Sequence, residues 1–122
     1  MNGIDVIETQ RIQQAIERQG KRFTDRIYTP FELAYCESKG RGKFQSLAAR
    51  FAAKEAVSKV LGTGIGKISW NEIEVFNDEY GKPHIRLYGK AQALAAELGY
   101  KQIFISLSHN QSLATALATG ER

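Results

Sequence analysis

The chain has 122 residues, with 17 Lys+Arg against 13 Asp+Glu and a formal net charge of +4. That length supports a single domain, and 43% hydrophobic with 25% charged residues is the balance of a folded globular chain, which excludes disorder and collagen-like architecture. One cysteine, Cys36, excludes an internal disulfide framework and a cysteine-based zinc cluster.

No run approaches the roughly 18–20 apolar residues of a membrane span, and the opening MNGIDVIETQR is unlike a secretory signal. A reducing, cytoplasmic setting with no membrane partner is therefore expected. The positive surplus suits nucleic acid, a phosphorylated metabolite or an acidic protein equally.

In chain order, Gly3–Ile7 reads as a short strand with Ile4 and Val6 on one face and Asp5 with Ile7 on the other. Ile12, Ala15, Ile16 and Gln19 follow helical spacing, with Thr9 as the expected N-cap and Gly20 as the stop. Arg11 and Arg18 nearly align on the polar side of that helix, and Lys21, Arg22 and Phe23 extend it. Thr29-Pro30-Phe31-Glu32 is a helix start with a capping box and proline at the first position.

Lys39-Gly40-Arg41-Gly42-Lys43 is a basic loop leading into the strongest helix, Phe44 to Leu61, which ends at Gly62-Thr63-Gly64-Ile65-Gly66. A strand at 71–76, a turn through Asn77–Pro83 and a strand at 84–88 predict a hairpin. A helix over Lys90–Leu98 and strands at 102–108 and 112–118 complete the order β-α-α-α-β-β-α-β-β. The expected fold class is α+β, a single domain with an antiparallel sheet against one long central helix and shorter helices.

The central helix carries the chemistry. Phe44, Leu47, Ala48, Phe51 and Ala52 form an apolar stripe, and Glu55 falls in the middle of it. A carboxylate there costs free energy unless a cation, metal or donor compensates. An ion pair with Lys59 at i+4 explains Glu55 equally well on periodicity alone.

Asp5, interrupting an apolar strand, supplies a second isolated carboxylate. Mg²⁺ takes one or two protein carboxylates and completes its shell with water and substrate phosphates. Arg50, Lys54 and Lys59 on the helix, Lys39, Arg41 and Lys43 before it, and the glycine-rich segment after it suggest a diphosphate. The glycine spacing is neither a Walker loop nor a dinucleotide fingerprint, and a helix C-cap explains it equally. His109, ending Ser106-Leu107-Ser108-His109, is a donor or acid–base candidate, against a locally bonded turn histidine. His84 has no role assigned, and Cys36 is expected to be a buried thiol.

Gly3-Ile4-Asp5, Arg50-Phe51-Ala52-Ala53-Lys54-Glu55-Ala56-Val57-Ser58-Lys59, Gly62-Thr63-Gly64 and Ser106-Leu107-Ser108-His109 occur in an order that resembles the holo-[acyl-carrier-protein] synthase family, the small bacterial type of 4′-phosphopantetheinyl transferase. The resemblance runs over essentially the whole chain, and Asn110 departs from it where threonine or serine is expected. It implies transfer of 4′-phosphopantetheine from coenzyme A to a serine of apo acyl carrier protein, with release of adenosine 3′,5′-bisphosphate, in support of fatty acid synthesis.

The resemblance further implies Asp5 and Glu55 as ligands of Mg²⁺, and Glu55, Lys59 and His109 as catalytic residues. Either Glu55 or a magnesium-bound water held by it would serve as the base. Arg50, Lys54, Ser58, Gly62 and Gly64 would join Asp5, Glu55, Lys59 and His109 around coenzyme A. Arg11, Arg18, Lys21, Arg22 and Phe23 would dock the acidic carrier protein. It also implies a homotrimer with active sites between subunits.

Two rival readings remain at this level. A basic nucleic-acid module would use the same cations on phosphates and stack bases on Trp70 and its neighbours, but it leaves Asp5 and Glu55 unexplained and lacks a recognised motif. An assembly domain without activity would keep the fold alone.

Overall fold

The long helix organises the molecule because its alanines let neighbours approach from several sides. The computed structural model describes residues 1–122. Its elements are β1 (Asn2–Glu8), α1 (Thr9–Gln19), α2 (Lys21–Ile27), α3 (Pro30–Glu37), α4 (Lys43–Val60), β2 (Ile73–Asn77), β3 (Pro83–Leu87), α5 (Gly89–Glu97), β4 (Gln102–His109) and β5 (Leu113–Glu121). Ala48, Ala52, Ala53 and Ala56 on α4 are fully buried. The helix packs on β1, β4 and β5 as well as on α1, α3 and β2.

The fold is α+β as expected, but its strands divide into two antiparallel sheets, one in the order β1-β5-β4 and one of β2 and β3. Ile4 pairs with Leu117 and Asp5 with Ala116 on one flank of β5, while Leu107 pairs with Ala116 on the other. Ile4 and Val6 do share a face, but it is the outer one: both are more than half exposed, whereas Gly3 is buried against α4.

One helix was not anticipated. Gly20, at φ 58, donates its N–H to Ile16 O and ends α1, and Lys21–Ile27 then forms α2 directly. The Lys21–Phe23 segment read as an extension of the first basic surface is thus a helix start. Glu8, not Thr9, occupies the N-cap of α1, and Thr9 is its buried first residue. The capping box of Thr29 and Glu32 with Pro30 is present.

That box is joined to a buried polar network. Glu32 Oε1 accepts from Thr29 N (2.9 Å) and from Lys54 Nζ (2.7 Å), and Glu32 Oε2 accepts from Val75 N (2.8 Å). Lys54 also donates to the carbonyls of Trp70 and Ile73, and Thr29 Oγ1 donates to Glu74 Oε2. Both ends of the Lys54–Glu32 pair are inaccessible to solvent. Burial pushes the Lys54 pKa down, opposed by the nearby Glu32 and Glu74 carboxylates. The ion pair ties α3, α4 and β2 together.

Removing one charge of such a pair strands the other in a dry interior. Lys54→Met is expected to cost about 3–5 kcal/mol, read as a large fall in the thermal midpoint, while Glu32→Gln combined with Lys54→Met costs less than the sum of the two single changes. Calorimetry of the three variants checks this, and strictly additive costs would contradict it.

Candidate active site

The approach of β1 to α4 builds the acidic part of the site. A β-carbon on Gly3 would collide with the Ala56 carbonyl oxygen and press on Lys59 Cβ. The absence of a side chain at Gly3 lets the strand lie directly on the helix. Two residues on, Asp5 faces the same helix, and Lys59 Nζ donates to Ile4 O (2.8 Å) and to Asp5 Oδ1 (3.3 Å).

Glu55 lies one turn before Lys59. Its carboxyl is held above the usual range first by burial and then by the Asp5 charge, with Lys59 partly offsetting both. No protein group donates a hydrogen bond to the Glu55 carboxylate, and the Lys59 ion pair goes to Asp5 instead. The two acidic residues, distant in sequence, are therefore neighbours in space. Glu55 is half-buried at the border of the helix's covered face rather than in its middle. The covered face is wider than the sequence stripe, because Ala49, Ala53, Ala56 and Val57 are buried too.

Other motif residues turn inward. Ser58 is buried and donates its hydroxyl to Glu55 O, and Lys54 belongs to the network described above. Neither offers a free polar group to coenzyme A, which corrects the expectation for both. After α4, Gly62 N bonds to Lys59 O, and Thr63 N and Gly64 N bond to Ser58 O. Gly62 (φ 78) and Gly64 (φ 63) adopt the left-handed conformations of a helix C-cap. Their N–H groups are directed at the chain rather than at a ligand.

A second polar locus lies on a different side of α4. Arg50, only 4% exposed, donates to Ser46 Oγ (3.1 Å) and Asn77 Oδ1 (2.8 Å), and its guanidinium stacks 4.2 Å from the Tyr35 ring centroid. Its Nε is buried without a partner. A cavity of about 390 Å³ here is lined by Arg50, His109, Lys39, Tyr35, Asn77 and Pro83 among others. His109, at the end of β4, makes no side-chain hydrogen bond, and Asn110 shapes the turn by accepting from Ser112 N and Leu113 N at 2.8 Å.

Asp5 and Glu55 do not line this cavity. Five residues along a helix amount to roughly 140° of rotation, so Arg50 and Glu55 diverge. Sequence reading also missed Asn77, Tyr35 and Pro83 as cavity residues, and no local spacing connects them to Arg50.

Arg11, Arg18, Lys21 and Arg22 are exposed and form no ion pairs, leaving their charge available. Phe23 does not accompany them: it is 6% exposed and packs edge-on to Tyr28 inside the core, so it is no surface anchor. Trp70 is likewise engaged, stacked at 4.6 Å on Phe51. Cys36 is the buried thiol expected, its pKa raised by burial. His84, unassigned from sequence, pairs with Asp78 at 2.8 Å and stacks on Phe76.

With this geometry in view, residues 1–118 match the model of the 4′-phosphopantetheinyl transferase superfamily. The holo-[acyl-carrier-protein] synthase of Ruminiclostridium cellulolyticum is 52% identical over 95% of this chain and 87% of its own length. The chain belongs to the holo-[acyl-carrier-protein] synthase family. The structure of the Helicobacter pylori holo-[acyl-carrier-protein] synthase in complex with coenzyme A matches 99% of this chain and 100% of its own at a TM-score of 0.88 and 30% identity. A Bacillus anthracis member of the family, in complex with CoA (3′,5′-ADP), matches 98% of this chain and 93% of its own at a TM-score of 0.80 and 36% identity.

The carboxyl of Glu55 titrates above its unfolded value, so its ionisation removes stability as pH rises through the carboxylate range. In chelating buffer, Glu55→Gln is expected to raise the thermal midpoint near neutral pH, by an amount moderated by solvent screening, and to change nothing at pH values well below the carboxylate range. A lowered midpoint at neutral pH would mean that Glu55 is compensated inside the chain.

Proposed function

We propose that this protein transfers 4′-phosphopantetheine from coenzyme A to a serine of apo acyl carrier protein, releasing adenosine 3′,5′-bisphosphate. The observation that carries the reading is the convergence of Asp5 and Glu55 beside Lys59, in a chain whose family and relatives are those of holo-[acyl-carrier-protein] synthases.

The pair suits a hard divalent cation. Glu55 has no donor, Asp5 adds negative charge to it, and one lysine leaves the locus acidic. No group of three or more His, Cys, Asp or Glu side chains converges anywhere in the chain, so a bound ion would complete its shell with water and phosphate oxygens. That is the habit of Mg²⁺ rather than zinc. A magnesium ion held by Asp5 and Glu55 would neutralise charge on the diphosphate and act as a Lewis acid.

The chain's own groups supply the rest. The serine oxygen bonds to the phosphorus nearest the pantetheine, the bond from that phosphorus to the bridging oxygen breaks, and the bisphosphate leaves with the electron pair. Lys59 offsets charge on the departing group, and Glu55, or a magnesium-bound water that it holds, would receive the serine proton. Arg50 and His109 hold phosphate of the nucleotide part in their cavity. Arg11, Arg18, Lys21 and Arg22 steer the acidic carrier protein, a role that favours encounter and orientation over raw affinity.

The separation of the acidic pair from the Arg50–His109 cavity supports a site completed by another copy. The outer face of the β1-β5-β4 sheet supports the same assembly. Ile4, Val6, Phe104, Leu113 and Leu117 are between 39% and 58% exposed on it, an apolar surface that self-association would cover. A homotrimer agrees with both observations.

Mass spectrometry of apo acyl carrier protein incubated with this protein, coenzyme A and Mg²⁺ should show a phosphopantetheine-sized gain that chelator abolishes. Asp5→Ala or Glu55→Ala should lower the rate by about 10²-fold or more while the fold and oligomeric state persist. Undiminished modification by both variants would refute the site. Leu117→Glu should convert the trimer to monomers in sedimentation and abolish activity, and an active monomer would refute the shared site.

A further inference from the structure

The arginine of the cavity is held by a contact that no sequence motif announces. Ser46, one turn earlier on α4, accepts from Nη1 and fixes the side chain only locally. Asn77 stands 27 residues away at the end of β2, and its Oδ1 accepts from Nη2 at 2.8 Å. Asn77 is itself fixed, since its Nδ2 donates to Gly81 O at 3.0 Å across the hairpin turn. The carbonyl of Gly81 requires a donor, so the amide nitrogen must face it and the amide oxygen must face Arg50.

The turn behind Asn77 is closed by Asp78. Its Oδ1 accepts from Tyr80 N and Lys82 N at 2.9 Å each, its N–H donates to Lys82 O, and Oδ2 meets His84 Nε2 at 2.8 Å. Those bonds hold the Asp78 carboxyl below its usual range, with the His84 bond contributing most. Gly81 and Pro83 from this hairpin line the same cavity as Arg50 and His109.

We propose that Asn77, fixed by the Asp78-closed turn, is a positioning residue that sets Arg50 to receive the phosphate of coenzyme A. This rests on reading the Arg50–His109 cavity as the phosphate subsite. The chemistry explains why the residue is an amide. A neutral oxygen orients the guanidinium without cancelling its charge, whereas a carboxylate at the same place would compete with the incoming anion. Orienting the cation beforehand also removes part of the ordering cost of binding.

Asn77→Ala should raise KM for coenzyme A about tenfold and leave kcat within about twofold, because the contact serves ground state and transition state alike. Arg50→Lys, which keeps the charge but not the fork, should raise KM at least as much. In the Arg50→Lys background, Asn77→Ala should change KM by less than about twofold, a non-additivity that a merely structural asparagine would not produce. Asp78→Ala, at a solvent-facing turn, should shift KM in the same direction by about threefold and equally lose its effect in that background, which supplies the test if Asn77→Ala does not fold.

An unchanged KM in Arg50→Lys would overturn the subsite reading and this proposal with it. An impaired Arg50→Lys with a silent or strictly additive Asn77→Ala would overturn the positioning role alone. Where Asn77→Ala does not fold, a silent or additive Asp78→Ala overturns it in the same way.

Discussion

The contact of β1 with α4 at Gly3 is the constraint on which the acidic centre depends. A strand and a helix normally keep side chains between their backbones. Here the strand lacks one at Gly3 and the helix offers Ala52, Ala53 and Ala56, so the two approach closely. That approach brings Asp5 within reach of Lys59 and makes its charge felt by Glu55. A β-carbon at Gly3 would push the strand off the helix and separate the two carboxylates without altering either. The backbone geometry, more than the acids themselves, makes the pair.

The same helix divides its polar side chains between two tasks. Lys54 and Ser58 turn into the protein, and Lys54 spends its donors on Glu32 and on two carbonyls that fix the start of β2. Glu55 and Lys59, one step further around, reach the surface beside β1. Two adjacent residues of one motif, Lys54 and Glu55, therefore serve unrelated ends, one holding three elements together and the other a carboxylate with no hydrogen-bond donor and only partial compensation from Lys59. An internally satisfied ion pair and a poorly satisfied acid on neighbouring positions is the pattern expected when stability and chemistry share a helix.

Much of this was legible in the sequence, for identifiable reasons. The capping box at Thr29 and the stop at Gly20 are local signals, and both are present. Asp5 and Glu55 stood out because each interrupts an apolar pattern. What sequence could not give was the direction of a side chain on a helix covered nearly all round. With sheet on one side and α1 and α3 on the other, Lys54 and Ser58 are buried although they are polar, and periodicity has no signal for that. Phe23 failed for a related reason: it follows four basic positions on the surface but points from α2 into the core, where Tyr28 meets it. The division of the strands into two sheets, and the Asn77–Arg50 bond, depend on long-range packing that no short window contains.

The placement of the two polar loci has a consequence for how the proposed activity would be controlled. Asp5 is on β1 and His109 at the end of β4, and these strands flank β5 from opposite edges. Asp5 and Glu55 take no part in lining the Arg50–His109 cavity, so the two loci are separate surfaces of one chain. In the proposed assembly the diphosphate end of the substrate would lie on one copy and the nucleotide phosphate on another. The exposed apolar face of the β1-β5-β4 sheet is built on the very strands that carry Asp5 and His109, so the proposed self-association would fix the spacing of the two loci. If the site is shared as proposed, a dissociated chain would keep its individual binding groups but not a complete site, so activity would depend on assembly as well as on folding.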